Sequence, residues 1–512
     1  MTISRGFQKH LTLLSVLLLA DINGAAAQTD LARDATARIA EAVKATGANA
    51  KAFDFYAHTP YREGVPRPDT VLGYPLGTWH STFYQQEKVL AAIVAAAPDR
   101  VKMLEYGTSV EGRPLRVYAV SSPANIARLE QIRAANLTVA NGGASPPPPD
   151  LPAIVWINHT IHGSETASFE TAMATMYTLA ASDAPTIRTA LDSVVVIINP
   201  IFNPDGHERF VVTYNAAAIG DATDGAFESE TPWIAAGRFN HNRFDMNRDK
   251  IAQSQPETRQ ETAEYLRWMP HVFVDQHGQP QTYFFPPNAQ ATNPNTDRER
   301  MNRWTQTFGR ANGAAFDSRG WAYVTRETYD LFYPGYLDSF TSLMGAVGMT
   351  YETDGGGELV TKKRDGTLTT LRDAAARHHE TALTTVVTAA KNRTTLVADF
   401  ATFRADATKF AGGVLISPER DPTRMGELAS LLVRVGVEVR RTTAPVTVDT
   451  ALYDVPGDKR GAHTFPVGSL IVPYGQAQGH LARALLERDT ALEPDFAARQ
   501  RRKQKANAAK NS

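Results

Sequence analysis

The 512-residue chain contains no cysteine. This excludes disulfides, thiolate metal sites and cysteine nucleophiles, so the fold rests on its core and any metal must be held by His, Asp and Glu. Net charge is scarce too: 53 Lys and Arg stand against 54 Asp and Glu, a formal balance of −1. No overall field draws such a chain to nucleic acid or to an anionic membrane, and a small or peptide-like ligand is the expected partner. Long apolar runs are also missing. The N-terminal run Leu11–Ala20 is about half the ~20 residues that cross a bilayer, so no stable membrane span is expected.

That run has another reading. Arg5, Lys9 and His10 precede it, and Ala25-Ala26-Ala27 offers a small-residue cleavage site before Gln28. This is the pattern of a secretory signal peptide over 1–27, which implies a secreted or periplasmic protein. Residues 28–75 are Ala-rich, then Pro/Gly-rich, and read as a short helix followed by an extended lead-in. Over 76–395, strand-like runs alternate with helical patterns: "RVYAV", "AIVWIN", "SVVVIINP", "HVFVDQHG" and "AVGMTYET". Such alternation predicts an α/β sheet covered by helices. Phe169, Met173, Met176, Tyr177 and Ala180 recur at helical spacing, and 255–269 forms a second helix candidate. Over 396–495 the pattern restarts. Val414–Ile416, a helix carrying Leu428, Leu431, Leu432 and Val435, and then Val437–Val439 read as a β-α-β unit, so a smaller C-terminal α/β domain is expected. The end, 496–512, reads as a polar basic tail without order.

The chemistry concentrates in "VWINHTIHGSETASFE" (155–170). His162 and Glu165 are three residues apart, so a turn entering a helix can aim both at one point. Alone, that pair is as well explained by a solvated helix start. A catalytic zinc takes three protein ligands, often two His and one Glu. His277 in "DQHG" ends another strand and can complete the set, since ligand crevices in open α/β sheets lie at the carboxyl ends of strands. His159 is expected to be a hydrogen-bonded loop residue away from the metal. In "FDMNRDK" (244–250), Asn247 and Arg248 stand side by side, and a guanidinium fork beside an amide matches a carboxylate. Glu352, at a strand end in "MTYETDGGG", is either a general base near a metal-activated water or a strand-end acid in an ion pair.

Over about 75–390 the chain resembles the M14 family of zinc metallocarboxypeptidases. "YGTSVEGRPLRVYAV", "HGSE", "NPDG", "DMNRD", "DQHG" and "TYET" follow in the family's order. The resemblance implies a carboxypeptidase A-like mixed central sheet flanked by helices, spanning 76–395 as the peptidase domain. It implies one zinc per chain on His162, Glu165 and His277, with Asp245 orienting a ligand histidine. Asn247 and Arg248 would grip the terminal carboxylate of a peptide, and Glu352 would be the general base. Of Arg238 and Arg243, Arg238 is favoured as the carbonyl-polarising arginine. Tyr333 aligns best with the closing tyrosine, ahead of Tyr336 and Tyr329. Two departures stand out, one of them the loop Leu331–Ser339, which is compact compared with digestive members of the family. "MNRDK" replaces the family's "LNRNF", placing Asp249 beside the carboxylate clamp where it is expected to weaken it. Leu337, with no obvious acid nearby, points to neutral or apolar side chains. The implied activity is release of C-terminal residues from a substrate with a free carboxylate. The alternatives are the same hydrolysis on cell-wall peptides or acylated amino acids, or a peptide-binding protein without turnover.

Overall fold

The computed structural model describes residues 53–143, 146–218, 235–288, 291–326, 329–363, 366–419, 421–453 and 460–510. The expected signal peptide and just over half of the lead-in, up to residue 52, lie outside these. An eight-stranded mixed sheet in the order β1-β2-β4-β3-β5-β8-β6-β7 forms the centre. Its members are β1 (Val101–Thr108), β2 (Pro114–Val120), β3 (Ala153–His159), β4 (Val194–Asn199), β5 (Val272–Gln279), β6 (Tyr283–Phe284), β7 (Tyr323–Val324) and β8 (Val347–Asp354). All five strand-like runs are therefore strands. Four of them, β4, β3, β5 and β8, run parallel. Every residue of β3, β4 and β8 is buried, which is why the sequence shows continuous apolar runs there and not an alternating pattern.

Helices Thr166–Ala181 and Leu371–Lys391 pack together over one face, where Thr171 Oγ1 donates to Ala375 O at 3.0 Å. Helices Leu129–Ala140 and Pro256–Trp268 meet elsewhere on the sheet, joined by the Asn136 amide, which donates to Trp268 O at 2.7 Å and Met269 O at 2.9 Å. Both expected helices are present.

Register brings the strand ends together. Asn158 of β3 faces Asp275 of β5, and His277 of β5 faces Glu352 of β8. Side chains alternate between the two faces of a strand, so Asp275 and His277 share one face. Gln276 points to the other, where its amide donates to His378 O at 2.9 Å.

Two expectations for the C-terminal part need correction. Beyond the short antiparallel pair β9 (Val360–Lys362) and β10 (Leu368–Thr370), helix Pro422–Arg434 and strand β11 (Gly413–Ile416) are present, but Val437–Val439 is not a strand. Gly436, at φ 81°, turns the chain, and Val437 is buried just beyond it. The short strand β12 comes at Arg440–Arg441 and pairs with β15 (Leu470–Pro473), which lies between it and β11. A separate two-stranded ladder joins β13 (Val446–Thr450) to β14 (Gly461–Phe465). The basic tail, expected to lack order, carries a helix over Pro494–Lys510. Proline at its start, Asp495 in the first turn and a run of Ala, Arg, Gln and Lys without glycine favour that conformation locally. Among the described residues no helix is long and apolar enough to cross a membrane.

Candidate active site

Beyond β3 the chain reverses sharply at Thr160, whose φ is 56°. Thr160 N and Oγ1 both hydrogen-bond Ser168 Oγ, at 3.0 and 2.9 Å, which holds this uncommon backbone in place. The next residues present His162 and, at the entry to helix Thr166–Ala181, Glu165. Close backbone contacts fix the loop. Gly163 N donates to Gly237 O at 2.9 Å, and a side chain at Gly163 would run into His207 N of helix Pro204–Ala217. Asn203 ties these pieces together: its Oδ1 accepts from Gly206 N at 2.9 Å, and its amide donates to Ile161 O and Arg238 O, each at 3.2 Å. The "NPDG" motif is thus a clasp between the loop of His162 and the segment of Arg238.

His162, Glu165 and His277 bring one potential ligand atom each to within 4.8 Å of one another. His162 Nδ1 is 2.8 Å from Glu165 Oε1, His277 Nδ1 is 3.0 Å from Glu165 Oε2, and the two Nδ1 atoms are 3.2 Å apart. The outward nitrogens are committed. His162 Nε2 meets Asp245 Oδ1 at 3.2 Å, and His277 Nε2 meets Asp275 Oδ2 at 2.7 Å. A carboxylate accepts only, so each Nε2 carries the proton and each neutral ring turns a bare Nδ1 lone pair inward. Two lone pairs and a carboxylate facing one point repel each other unless a cation lies between them. The donor set, two His and one Glu, suits zinc with a position left for water.

Asp275 was not singled out in the sequence, although its parity with His277 was readable. Its other oxygen accepts from the Asn158 amide at 2.8 Å, and Asn158 Oδ1 accepts from Asn199 at 2.8 Å. This buried row extends the support of His277 across three strands. Gly278 N also donates to Glu165 Oε2 at 3.0 Å. Behind Glu165, the glycine turn after Glu352 latches onto the helix: Ala167 N donates to Gly356 O at 3.1 Å. Gly356, at φ +94°, leaves room for only 2.5 Å between an added Cβ and Ala167 Cβ.

Charge follows the same geometry. Burial disfavours the imidazolium of His162, but Glu165 and Asp245 outweigh it and raise its pKa. His277 is raised well above the ordinary value because Asp275 and Glu165 likewise overcome burial. Protons must therefore leave both rings for a metal to bind. Zinc affinity is expected to fall as the pH drops through the raised pKa values of the two rings, with proton release on binding, measurable by chelator competition in buffers of different ionisation enthalpy.

The other expected residues fall at graded distances. Arg238 reaches the cluster: Nη1 is 3.3 Å from His162 Nδ1 and 3.7 Å from Glu165 Oε1, while Nε and Nη2 hold Asp245 Oδ2 at 3.0 and 2.8 Å. Arg243 stands in an exposed turn at φ 65°. Asn247 is buried; its amide lies 3.3 Å from His277 Nε2 and its Oδ1 accepts from Leu337 N at 3.0 Å. Arg248 is exposed, with its guanidinium 4.5 Å from the centre of the Tyr336 ring. Tyr333 lies one layer out, edge-on to Tyr336 at 5.1 Å and 40% exposed. Tyr329 OH donates to Gln279 Oε1 at 2.9 Å.

Three sequence expectations are corrected here. Asp249 does not face the clamp. It is buried and accepts from Ser254 N, Ser254 Oγ and Gln255 N at 3.0, 2.5 and 2.9 Å, holding the following turn. An acid does lie beside Leu337: Asp338, buried, accepts from Thr350 Oγ1 at 2.9 Å and Ser339 N at 2.7 Å, and burial pushes its carboxyl up to about 6. His159 is not in the loop: it ends β3 and is fully buried.

The zinc carboxypeptidase family model, Peptidase_M14, matches residues 86–363, more than half of the chain. The chain belongs to this family. It is a zinc metallopeptidase of the carboxypeptidase type, with a central mixed sheet flanked by helices as in that family and additional small sheets in the C-terminal part. No curated protein sequence matches it. Among solved structures, this carboxypeptidase is similar to a metallo-carboxypeptidase from Burkholderia cenocepacia, at 17% identity and a TM-score of 0.40, covering 61% of this chain and 70% of that one. It is similar also to a Pseudomonas aeruginosa metallo-carboxypeptidase in complex with (2-guanidinoethylmercapto)succinic acid, at 18% identity and a TM-score of 0.39, covering 59% and 67%. A carboxypeptidase A from Helicoverpa armigera matches at 14% identity and a TM-score of 0.41, covering 65% and 79%.

Proposed function

We propose that this carboxypeptidase, exported by the leader at 1–27, holds a single zinc on His162, Glu165 and His277 and removes residues one at a time from peptide C-termini. The observation that carries the reading is the convergence of two Nδ1 atoms and one carboxylate with Glu352 in the adjacent row. Zinc, when bound, supplies Lewis-acid polarisation and brings the pKa of water down toward roughly 7. The chain's own groups do the rest. Glu352 takes the proton of the attacking water and passes it to the leaving amine; burial, with Glu165 nearby, pushes its carboxyl up to about 7, which suits a group that accepts and then donates near neutrality. Arg238 meets the charge that develops on the scissile carbonyl oxygen. Arg248 and Asn247 grip the terminal carboxylate, which sets the register so that only the last bond is presented. Tyr333 and Tyr336 border that clamp. No covalent intermediate is needed.

Mass spectrometry of products from a mixed peptide library, with zinc-loaded protein whose N-terminus is expected at Gln28, tests the reading. Loss of single C-terminal residues by the parent and not by Glu352→Gln supports it. Internal cuts, or none from protein that retains zinc, overturn it and direct the search to cell-wall peptides or acylated amino acids.

Arg248→Ala is expected to lower kcat/KM about 10- to 100-fold, chiefly through KM, by removing a charge-assisted hydrogen bond to the carboxylate. Steady-state kinetics on free-acid and amidated forms of one peptide check it, because the variant should lose most of the parent's preference for the free acid.

A further inference from the structure

Residues 236–240, which carry Arg238, belong to no helix or strand. A backbone of that kind has no ladder to satisfy its carbonyls, so other groups must. Most of the donors come from one neighbouring element, helix Pro204–Ala217. Asn203, which caps it, donates its amide to Gly237 O and Arg238 O, at 3.4 and 3.2 Å. Further along the same helix, Arg209 donates Nε and Nη2 to Ala236 O, at 3.3 and 3.0 Å, and Nη2 to Phe239 O at 2.7 Å. Carbonyls on both sides of Arg238 therefore share one guanidinium.

The helix face is shaped for this contact. Gly206 lies three positions before Arg209, on the same side of the helix. A Cβ added there would come to 2.4 Å from Gly237 O and 2.5 Å from Phe239 O, so the glycine lets the segment lie directly on the helix and within reach of Arg209. A guanidinium is planar, with donors in fixed directions. Meeting Ala236 O through two nitrogens and Phe239 O through one sets the orientation of the segment as well as its distance. Among the described residues the Arg209 guanidinium hydrogen-bonds to this segment alone. Arg238, in contrast, sends its side chain off the same backbone toward the triad, with Nη1 3.7 Å from Glu165 Oε1.

We propose that Arg209 is a positioning residue for the reaction: by gripping the carbonyls on both sides of Arg238, it holds that side chain where charge develops on the scissile carbonyl oxygen. The inference rests on the role given to Arg238 in the carboxypeptidase reading above. Zinc-loaded parent, Arg209→Ala, Arg238→Ala and the double variant are compared on one peptide for kcat and KM, and for affinity toward a phosphonate analogue of that peptide, whose anionic tetrahedral centre resembles the transition state. Arg209→Ala is expected to lower kcat roughly 10- to 100-fold, as misplacement of a reacting group by about 1 Å does, and to weaken phosphonate binding by a similar factor. KM should stay within about twofold, because the clamp at Arg248 is untouched. In the Arg238→Ala background the same substitution should cost less than about twofold more, since no side chain is left to place. Arg209→Lys keeps the charge without the fork and should fall between parent and alanine variant; it carries the same comparison if the alanine variant does not fold. Parental kcat in the Arg209 variants, equal losses in both backgrounds, or a loss confined to KM or to zinc content overturns the positioning role and leaves the carboxypeptidase reading intact. Parental kcat in Arg238→Ala overturns the part of that reading on which the inference stands.

Discussion

Glu352→Gln is expected to keep zinc and lose turnover. The amide has the size and shape of the carboxyl group but cannot take a proton, so kcat should drop roughly 10²- to 10⁴-fold, the usual contribution of a placed general base. Because Glu352 is paired by strand register with His277 and is not one of the three clustered ligands, metal content should be unchanged. Kinetics with metal analysis on the same preparation separate the two effects. A variant that loses zinc together with activity would make Glu352 a ligand or a structural residue and remove it from the proton path. The pH profile is a second readout: the limb of kcat/KM assigned to this group should vanish in the variant while the limb set by metal binding stays.

The second large effect is expected at Asp275, a residue that touches no substrate. Asp275→Ala leaves His277 Nε2 without its 2.7 Å partner and leaves the Asn158 amide without an acceptor inside the sheet. The tautomer of His277 is then no longer fixed, and zinc affinity should fall about 10- to 100-fold. Chelator competition measures this directly. Asp275→Asn separates charge from shape: an amide can still accept from Nε2 but lacks the negative charge that raises ligand basicity, so its affinity should lie between those of parent and alanine variant. If both substitutions lower thermal stability and leave zinc affinity untouched, the role is structural only.

Much of this was readable because parallel strands covered on both faces are continuous apolar runs, and such strands end where ligands are held. "AIVWIN" and "HVFVDQHG" lead into His162, Glu165 and His277 for that reason. What was not readable depends on contacts between distant segments. The closeness of Gly163 to His207 and of Gly356 to Ala167 leaves no periodic trace, and "NPDG" gave no hint that Asn203 would bridge Ile161 and Arg238. Asp249 was misjudged because adjacency in the chain was taken for adjacency in space; a 3-10 turn over Met246–Arg248 rotates it away from the clamp. The C-terminal strand was misplaced because Val437–Val439 has strand composition, whereas the glycine before it sets the turn.

The triad also bears on how this enzyme comes into being. His162 and His277 are 115 positions apart in the chain yet meet at 3.2 Å, and the residues between them include the whole of strand β4 and the Arg238–Arg248 segment. Closing so large a loop is one event with pairing β3 to β5, a non-local contact of the kind that forms slowly. A growing chain or a clipped fragment therefore has no place to hold the ion. Proteolytic power appears only in the finished molecule, and the ion in turn favours that molecule over every unfinished one.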